Sequence, residues 1–357
     1  MNRVYLSNKK GVKFSFNQSP DTFKVKENSK IKLLKRGDFR LIEVTKVDIS
    51  TMEMVEYLAE VLKIPSKDIG YAGLKDKHAT TIQYITLPKY VNIKKFKNSN
   101  RVTLKELGFC ANRLRVGQLE SNSFEIILQG VDELEYKRVE SAFLNIAKVG
   151  FANFFGYQRF GVLNDSVKKG QKISEIGKGS SNQNSKILLA AYQAKSFNEW
   201  LNKRLEISKA IINLDKNIKL ISPTLQKELQ RSKSILKLLP GDLGYFYKNG
   251  KKSFESINDI AKYTEYFLHK KFKVTGALFG NSVRYSTSIA GKIEREYIDY
   301  SFNALRGARR NAWVWAKEAK IKYFSNKEQV VLNFTLPPGS YATVLLEEML
   351  QEELNRA

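Results

Sequence analysis

Gly70-Tyr71-Ala72-Gly73-Leu74-Lys75-Asp76-Lys77-His78-Ala79-Thr80-Thr81-Ile82-Gln83 joins a helix that Pro65 closes to a strand built on the β-branched residues between Thr80 and Thr86. A Gly-x-x-Gly turn opens the run, and a single acid, Asp76, stands between Lys75 and Lys77. Nearby opposite charge favours the ionised form of a carboxylate. Asp76 is therefore suited to act as a nucleophile or base without help from a metal. A solvated loop whose charges merely balance has the same spacing, and spacing alone favours that plainer reading.

Outward from this loop the pattern is α+β. Phe39 to Val47 alternates as a half-buried strand. Ser50-Thr51-Met52-Glu53 is a capping box, and Met54, Val55, Leu58, Val61 and Leu62 follow at helical spacing. Ser123 to Leu128 reads as a strand, and Asp132 caps a helix ending near Gly150. No dinucleotide-binding turn interrupts this order. From Asn164 to Ser185 the chain is rich in Lys, Gly, Ser, Asn and Gln, which predicts a loop. An amphipathic helix is expected from Lys186 to about Ile207. Gly244 to Lys251 predicts a hairpin around Asn249-Gly250, since Asn-Gly suits a turn with positive φ. The tail reads as strand (Val330 to Leu336), turn (Pro337-Pro338-Gly339-Ser340) and helix (Tyr341 to Glu353).

Composition narrows the partners. The chain has 357 residues, enough for two domains. It carries 61 basic against 36 acidic residues, a formal charge of +25. Such an excess points to a polyanion, most simply a nucleic acid. No run of about 18 apolar residues speaks for a membrane span, and the first residues lack a signal-peptide core. The single cysteine, Cys110, makes no internal disulfide and fits a reducing compartment, with the cytoplasm as the expected location. With only His78 and His269 besides it, the raw material for a typical zinc site is missing, and no metal is expected.

The loop around Asp76 resembles the signature of the TruD family of tRNA pseudouridine synthases, whose catalytic aspartate stands at this position. Four more segments resemble that family in the same order. They are Pro20-Asp21-Thr22-Phe23-Lys24-Val25, then Asn112 to Gly117 with Asn122-Ser123-Phe124, then Asn153 to Gly161, and Leu336 to Thr343. The resemblance implies a pseudouridine-synthase-like catalytic core, a mixed sheet with helices, interrupted by an inserted α+β TRUD domain. The core would comprise residues 1–150 and 315–357, and the RNA-binding insertion residues 151–314. It implies catalysis by Asp76 and a target pocket lined by Phe23, Asn122, Phe124 and Tyr341. The implied substrate is tRNA at uridine-13, with no cofactor and no obligatory protein partner. The family usually has a basic residue three positions before the early proline, where this chain has Asn17; Lys13 or Lys75 could supply the charge.

Isomerising uridine means breaking the N1–C1′ bond, turning the base and joining C5 to C1′. Asp76 could attack C1′ or C6, or remove a proton from C2′. The target base must leave its stack, which costs a few kcal/mol, and aromatic faces such as Phe124 and Tyr341 can recover part of that. Asn122 has donors and an acceptor for a uracil edge. Lys75, Lys77, Arg113 and Arg115 are candidates for phosphate or loop-charge contacts. So are Lys94 to Lys97, Lys168-Lys169, Lys270 to Lys273 and Arg306 to Arg310. Two rivals remain: a synthase acting on other RNA, and a non-catalytic RNA-binding or folding factor. Retention of Asp76 and Asn122-x-Phe124 argues against the latter.

Overall fold

The computed structural model describes residues 3–6, 11–160, 165–175, 183–215, 218, 220–302 and 305–354. In chain order the first elements are β1 (Phe23–Asn28), β2 (Phe39–Val47), α1 (Thr51–Leu62), β3 (Gly70–Tyr71) and β4 (Thr80–Pro88). They are followed by β5 (Val102–Cys110), β6 (Ser121–Leu128) and α2 (Glu133–Val149). The middle contains β7 (Phe151–Ala152), α3 (Asp165–Glu175), α4 (Gln183–Ile212), α5 (Pro223–Arg231), β8 (Leu243–Lys248) and β9 (Lys251–Ser256). It continues with α6 (Ile260–Leu268), β10 (Lys273–Leu278), α7 (Ser288–Arg295), β11 (Ala308–Asn311) and β12 (Trp313–Val314). The chain closes with β13 (Lys317–Phe324), β14 (Gln329–Leu336) and α8 (Ala342–Leu350).

Two compact units result. One comprises Val12–Ala147 and Ala316–Ala342, the other Met1–Gly11, Lys148–Trp315 and Thr343–Ala357. The expected mixed sheet fills the first unit, with eight strands in the order β13-β14-β6-β1-β4-β2-β5 and β3 beside β4. Among the described residues, only β1 and β4 pair in parallel. The register sets one inward face: Phe23, Val25 and Glu27 stand opposite Ile126, Phe124 and Asn122, while Lys46 stands opposite Thr81 and Phe334 opposite Phe124. Helix α1 covers part of this face, packing Met54, Val55 and Leu58 onto Ile42, Val44, Ile85 and Leu87. Burying each such side chain contributes about 1.5–3 kcal/mol. The expected capping box is formed: the Ser50 hydroxyl accepts from the Glu53 amide, and the Glu53 carboxylate accepts from the Ser50 amide. Asp132 likewise accepts from the Glu135 amide at the start of α2. Cys110 is buried with Leu41 and Leu114.

The second unit holds a four-stranded antiparallel sheet in the order β11-β10-β8-β9. Its β8–β9 hairpin turns at Asn249 and Gly250, with φ of 50° and 75°, as the Asn-Gly pair predicts. Inside it, Arg204 forms a fully buried bidentate pair with Asp242, at 2.5 and 2.8 Å. The ends of the chain join this unit through a buried Arg3–Glu347 ion pair and a bond from the Val4 amide to Asn202.

One expectation is corrected here. Within the stretch from Asn164 to Ser185 predicted to be a loop, Asp165–Glu175 is the helix α3 and Gln183 to Ser185 open α4, while residues 164 and 176–182 lie outside the described residues. The helix escapes a composition reading because it meets α4 through a small residue. A Cβ added at Gly170 would lie 2.1 Å from the Leu188 carbonyl oxygen. Helix α4 also extends beyond the expected Ile207, to Ile212.

A similar close approach joins α4 to β10, where a Cβ on Gly276 would sit 2.1 Å from the Trp200 ring. Gly276→Ala should therefore destabilise the protein by about 1–3 kcal/mol through overpacking, measured as a lower midpoint in urea denaturation.

Candidate active site

The Asp76 loop runs between β3 and β4 and is tied down at Ala72 and from Lys75 to Ala79. Gly70 lies in β3 opposite Thr86. A Cβ there would collide with the Thr86 hydroxyl, the Arg113 side chain and the Leu114 carbonyl. The first glycine therefore serves close packing of the Asn112–Gly117 segment, not the turn expected of it. That segment is held by the Gly117 amide donating to the Ala72 carbonyl at 2.7 Å. Further ties run from the Leu114 amide to the Thr86 hydroxyl at 3.0 Å and from the Arg113 guanidinium to the Ile69 carbonyl at 3.1 Å.

Charges around the loop are distributed differently from the simple flanking pair. The Lys75 ammonium points inward to Glu27 at 2.6 Å, and both side chains are almost fully buried. The Lys75 amide donates to the Thr51 hydroxyl at 2.9 Å, which itself donates to Gln83 at 3.0 Å. Lys77 turns outward to Glu53 at 2.9 Å, and His78 pairs with Asp48 at 2.9 Å on the surface. Hydrogen bonds from Lys77 and Ser50 pull the Glu53 carboxyl down to about 2. Beneath the loop lies a third cation, Lys46, which donates to the Asp76 carbonyl at 2.7 Å and to the Ile49 carbonyl at 2.5 Å. Burial lowers the Lys46 ammonium to about 8, against an opposing pull from Asp76. Lys13 is exposed, and its amide donates to Glu135. Asn17, also exposed, accepts from the Thr22 hydroxyl through its carbonyl.

The four other predicted pocket residues share the same unit. Phe23 and Phe124 are 2% and 6% exposed, with rings 6.0 Å apart. Phe124 also stacks on Phe334 at 5.4 Å, which meets Phe143 edge-on at 5.8 Å. Phe16 extends the row beyond Phe23. Asn122 faces Glu27 on one side and Leu336 on the other. Its Oδ1 is buried without a hydrogen-bond partner among the described residues, as are Glu27 Oε1, Thr81 Oγ1 and Gln83 Nε2. Tyr341 is half-buried and follows the turn through Gly339, whose φ is 76°. Segments distant in sequence thus meet through one path: Asn122 beside Glu27, Glu27 bonded to Lys75, and Lys75 adjacent to Asp76. The same unit has a cavity of about 320 Å³ lined by Lys30, Lys32, Asn112, Arg113 and Gln118 among others. Among the described residues, no three His, Cys, Asp or Glu side chains converge as a metal site.

The basic clusters divide. Lys94, Lys95, Lys97, Arg115, Lys168, Lys169, Lys271 and Arg306 are exposed. Arg309 and Arg310, expected among the phosphate contacts, are structural instead. Arg309 pairs with buried Glu294 at 2.7 Å. Arg310 binds the Asn153 carbonyl and lies over the Phe155 ring at 3.7 Å.

Against known proteins, the family model of tRNA pseudouridine synthase D (TruD) matches residues 2–175 and 220–349. The chain belongs to the TruD family. Curated relatives agree over full length. The tRNA pseudouridine synthase D of Sulfurimonas denitrificans is 38% identical over 99% of this chain and 100% of its own. That of a Nitratiruptor species is 36% identical over 99% of both. A crystal structure of the putative TruD from Methanosarcina mazei shares the fold, with a TM-score of 0.65 and 22% identity over 98% of this chain and 96% of that one.

In this TruD-family chain, sequence reading missed Lys46, Glu27, Thr51 and Gln83. A signal was present for two of them. Glu27 continues the inward positions of Phe23 and Val25, and Lys46 those of Ile42 and Val44. A charge on the buried side of an alternating strand requires a partner.

Removing one member of the Lys75–Glu27 pair leaves the other buried and uncompensated. Lys75→Met should cost about 3–5 kcal/mol in urea denaturation, and Lys75→Met with Glu27→Met should recover most of it. Phe124→Ala should remove about 3–5 kcal/mol from the packed aromatic row by the same measurement.

Proposed function

We propose that this chain converts uridine-13 of tRNA to pseudouridine, with Asp76 as the reacting acid and no cofactor, in the cytoplasm. Family membership supports the coarser statement, that the chain is a tRNA pseudouridine synthase. Curated relatives carrying that name cover it from end to end. The observation that carries the finer reading is the anchoring of Asp76. Its loop is held from inside by Lys46 and by the Lys75–Glu27 pair, on the sheet face that also bears Asn122 and Phe124.

The reaction begins with the ionised Asp76 carboxylate, acting at C1′ or C6 or on the C2′ proton. The N1–C1′ bond breaks, the uracil turns, C5 joins C1′, and the C5 proton leaves as N1 gains one. Asn122 offers its unpaired Oδ1 to an N–H of the uracil edge. Half-buried Tyr341 supplies the face against which an extruded base rests, and buried Phe23 and Phe124 form the apolar packing behind the pocket. Fixed placement of the acid supplies much of the rate, because a bound uridine then meets it without further ordering. We assign catalysis to the unit containing the eight-stranded sheet and RNA binding to the inserted TRUD domain of residues 151–314. Arg113, Arg115 and Lys77 are the phosphate contacts proposed near the site, and the +25 formal charge supports a long basic surface.

Asp76→Asn keeps size and hydrogen bonding but removes the charge. Pseudouridine mapping of tRNA should show modification lost at position 13, with tRNA affinity and melting temperature unchanged. Modification at another position, or in another RNA, would replace the assigned substrate; no modification by the unaltered chain would favour a binding factor. The affinity of the unaltered chain for tRNA should fall linearly with salt on a log–log plot. Arg115→Ala should reduce that slope by about one unit.

A further inference from the structure

We propose that Lys46 is a positioning residue for the reaction, fixing Asp76 through its main-chain carbonyl and supplying the positive charge that holds its carboxylate in place. The inference rests on the reading of Asp76 as the reacting acid. Lys46 occupies the inward side of β2 and is 0% exposed, at the end of the row formed by Ile42 and Val44. Its ammonium reaches the carbonyls of Ile49 and Asp76. The first marks the approach to the α1 cap, and the second belongs to the loop itself. One side chain therefore sets the spacing between helix and loop.

A hydrogen bond alone does not account for this residue. Burying an ammonium costs several kcal/mol beyond what neutral carbonyl acceptors return, and a neutral amide could donate to the same oxygens. The charged groups around Lys46 are Asp76 and Lys75 from the loop and Glu53 from α1. Lys75 is neutralised by Glu27 of β1 and Glu53 by Lys77. Of these charges, Asp76 acts most strongly on Lys46. Since the Lys46 ammonium titrates at about 8, it is charged below that pH and neutral above it. The support it gives Asp76 is therefore present at neutral pH and lost as pH rises through about 8.

Single-turnover pseudouridine formation on tRNA, measured from pH 6 to 10 beside tRNA affinity and melting temperature, tests this. The unaltered chain should slow as pH rises through about 8. Lys46→Met and Lys46→Gln should both bind tRNA normally and react about a hundredfold more slowly per folded molecule. Neither should retain the alkaline decline. Near-normal turnover by either variant would overturn the proposal, and so would a flat profile for the unaltered chain. Should one variant unfold, the other decides. Turnover by Asp76→Asn would overturn the reading of Asp76 and this inference with it. An inactive Asp76→Asn beside a normal Lys46→Met would overturn this inference only.

Discussion

A buried ion pair between a strand and a loop organises the sheet-bearing unit. Glu27 is the last of the three inward positions of β1, and Lys75 comes down from the loop to meet it. Neither charge has an alternative. Glu27 is 0% exposed and flanked by the paired strands β4 and β6, and withdrawing Lys75 would leave it unpaired in a low-dielectric interior. The loop is thereby confined to one path. Its next residue, Asp76, is presented from a rigid base, and Thr51 at the first turn of α1 completes the seating by accepting from the Lys75 amide.

This arrangement explains why the two lysines beside Asp76 do different things. A regular extended chain would send Lys75 and Lys77, two positions apart, to the same side; the chain bends at Lys77 instead, and Glu27 and Glu53 draw the two lysines apart. Lys75 goes to the interior. Lys77 goes to the surface and Glu53, where solvent weakens any single charge pair. The cation that bonds the Asp76 carbonyl, Lys46, comes from a strand 30 positions away.

The regular elements were legible in the sequence because local rules act there without competition. The capping box before α1, the alternation of β2, the Asn-Gly hairpin and the Asp132 cap all formed where residue type and spacing predict them. The site was legible only as a set of segments. Its polar interior depends on strand register, which places Glu27 beside Asn122 and Lys46 beside Thr81; no local pattern encodes those pairings. Glycines misled for a related reason. Gly70 and Gly170 read as flexible in sequence, yet each marks a place where another part of the chain passes too close for a side chain. Likewise, Arg309 and Arg310 read as a basic patch, but their partners Glu294 and Asn153 lie 15 and 157 positions away.

The solitary thiol has a practical side. Cys110 is 4% exposed, its Sγ donates to the Asn112 carbonyl at 3.3 Å, and burial pushes it further from the thiolate form that reacts with electrophiles. The native protein is thus close to inert toward maleimides and disulfide reagents. A cysteine installed at an exposed lysine such as Lys168 would be the sole reactive handle on the molecule. A dye attached there would be a single label at a known position, obtained without first deleting a native residue.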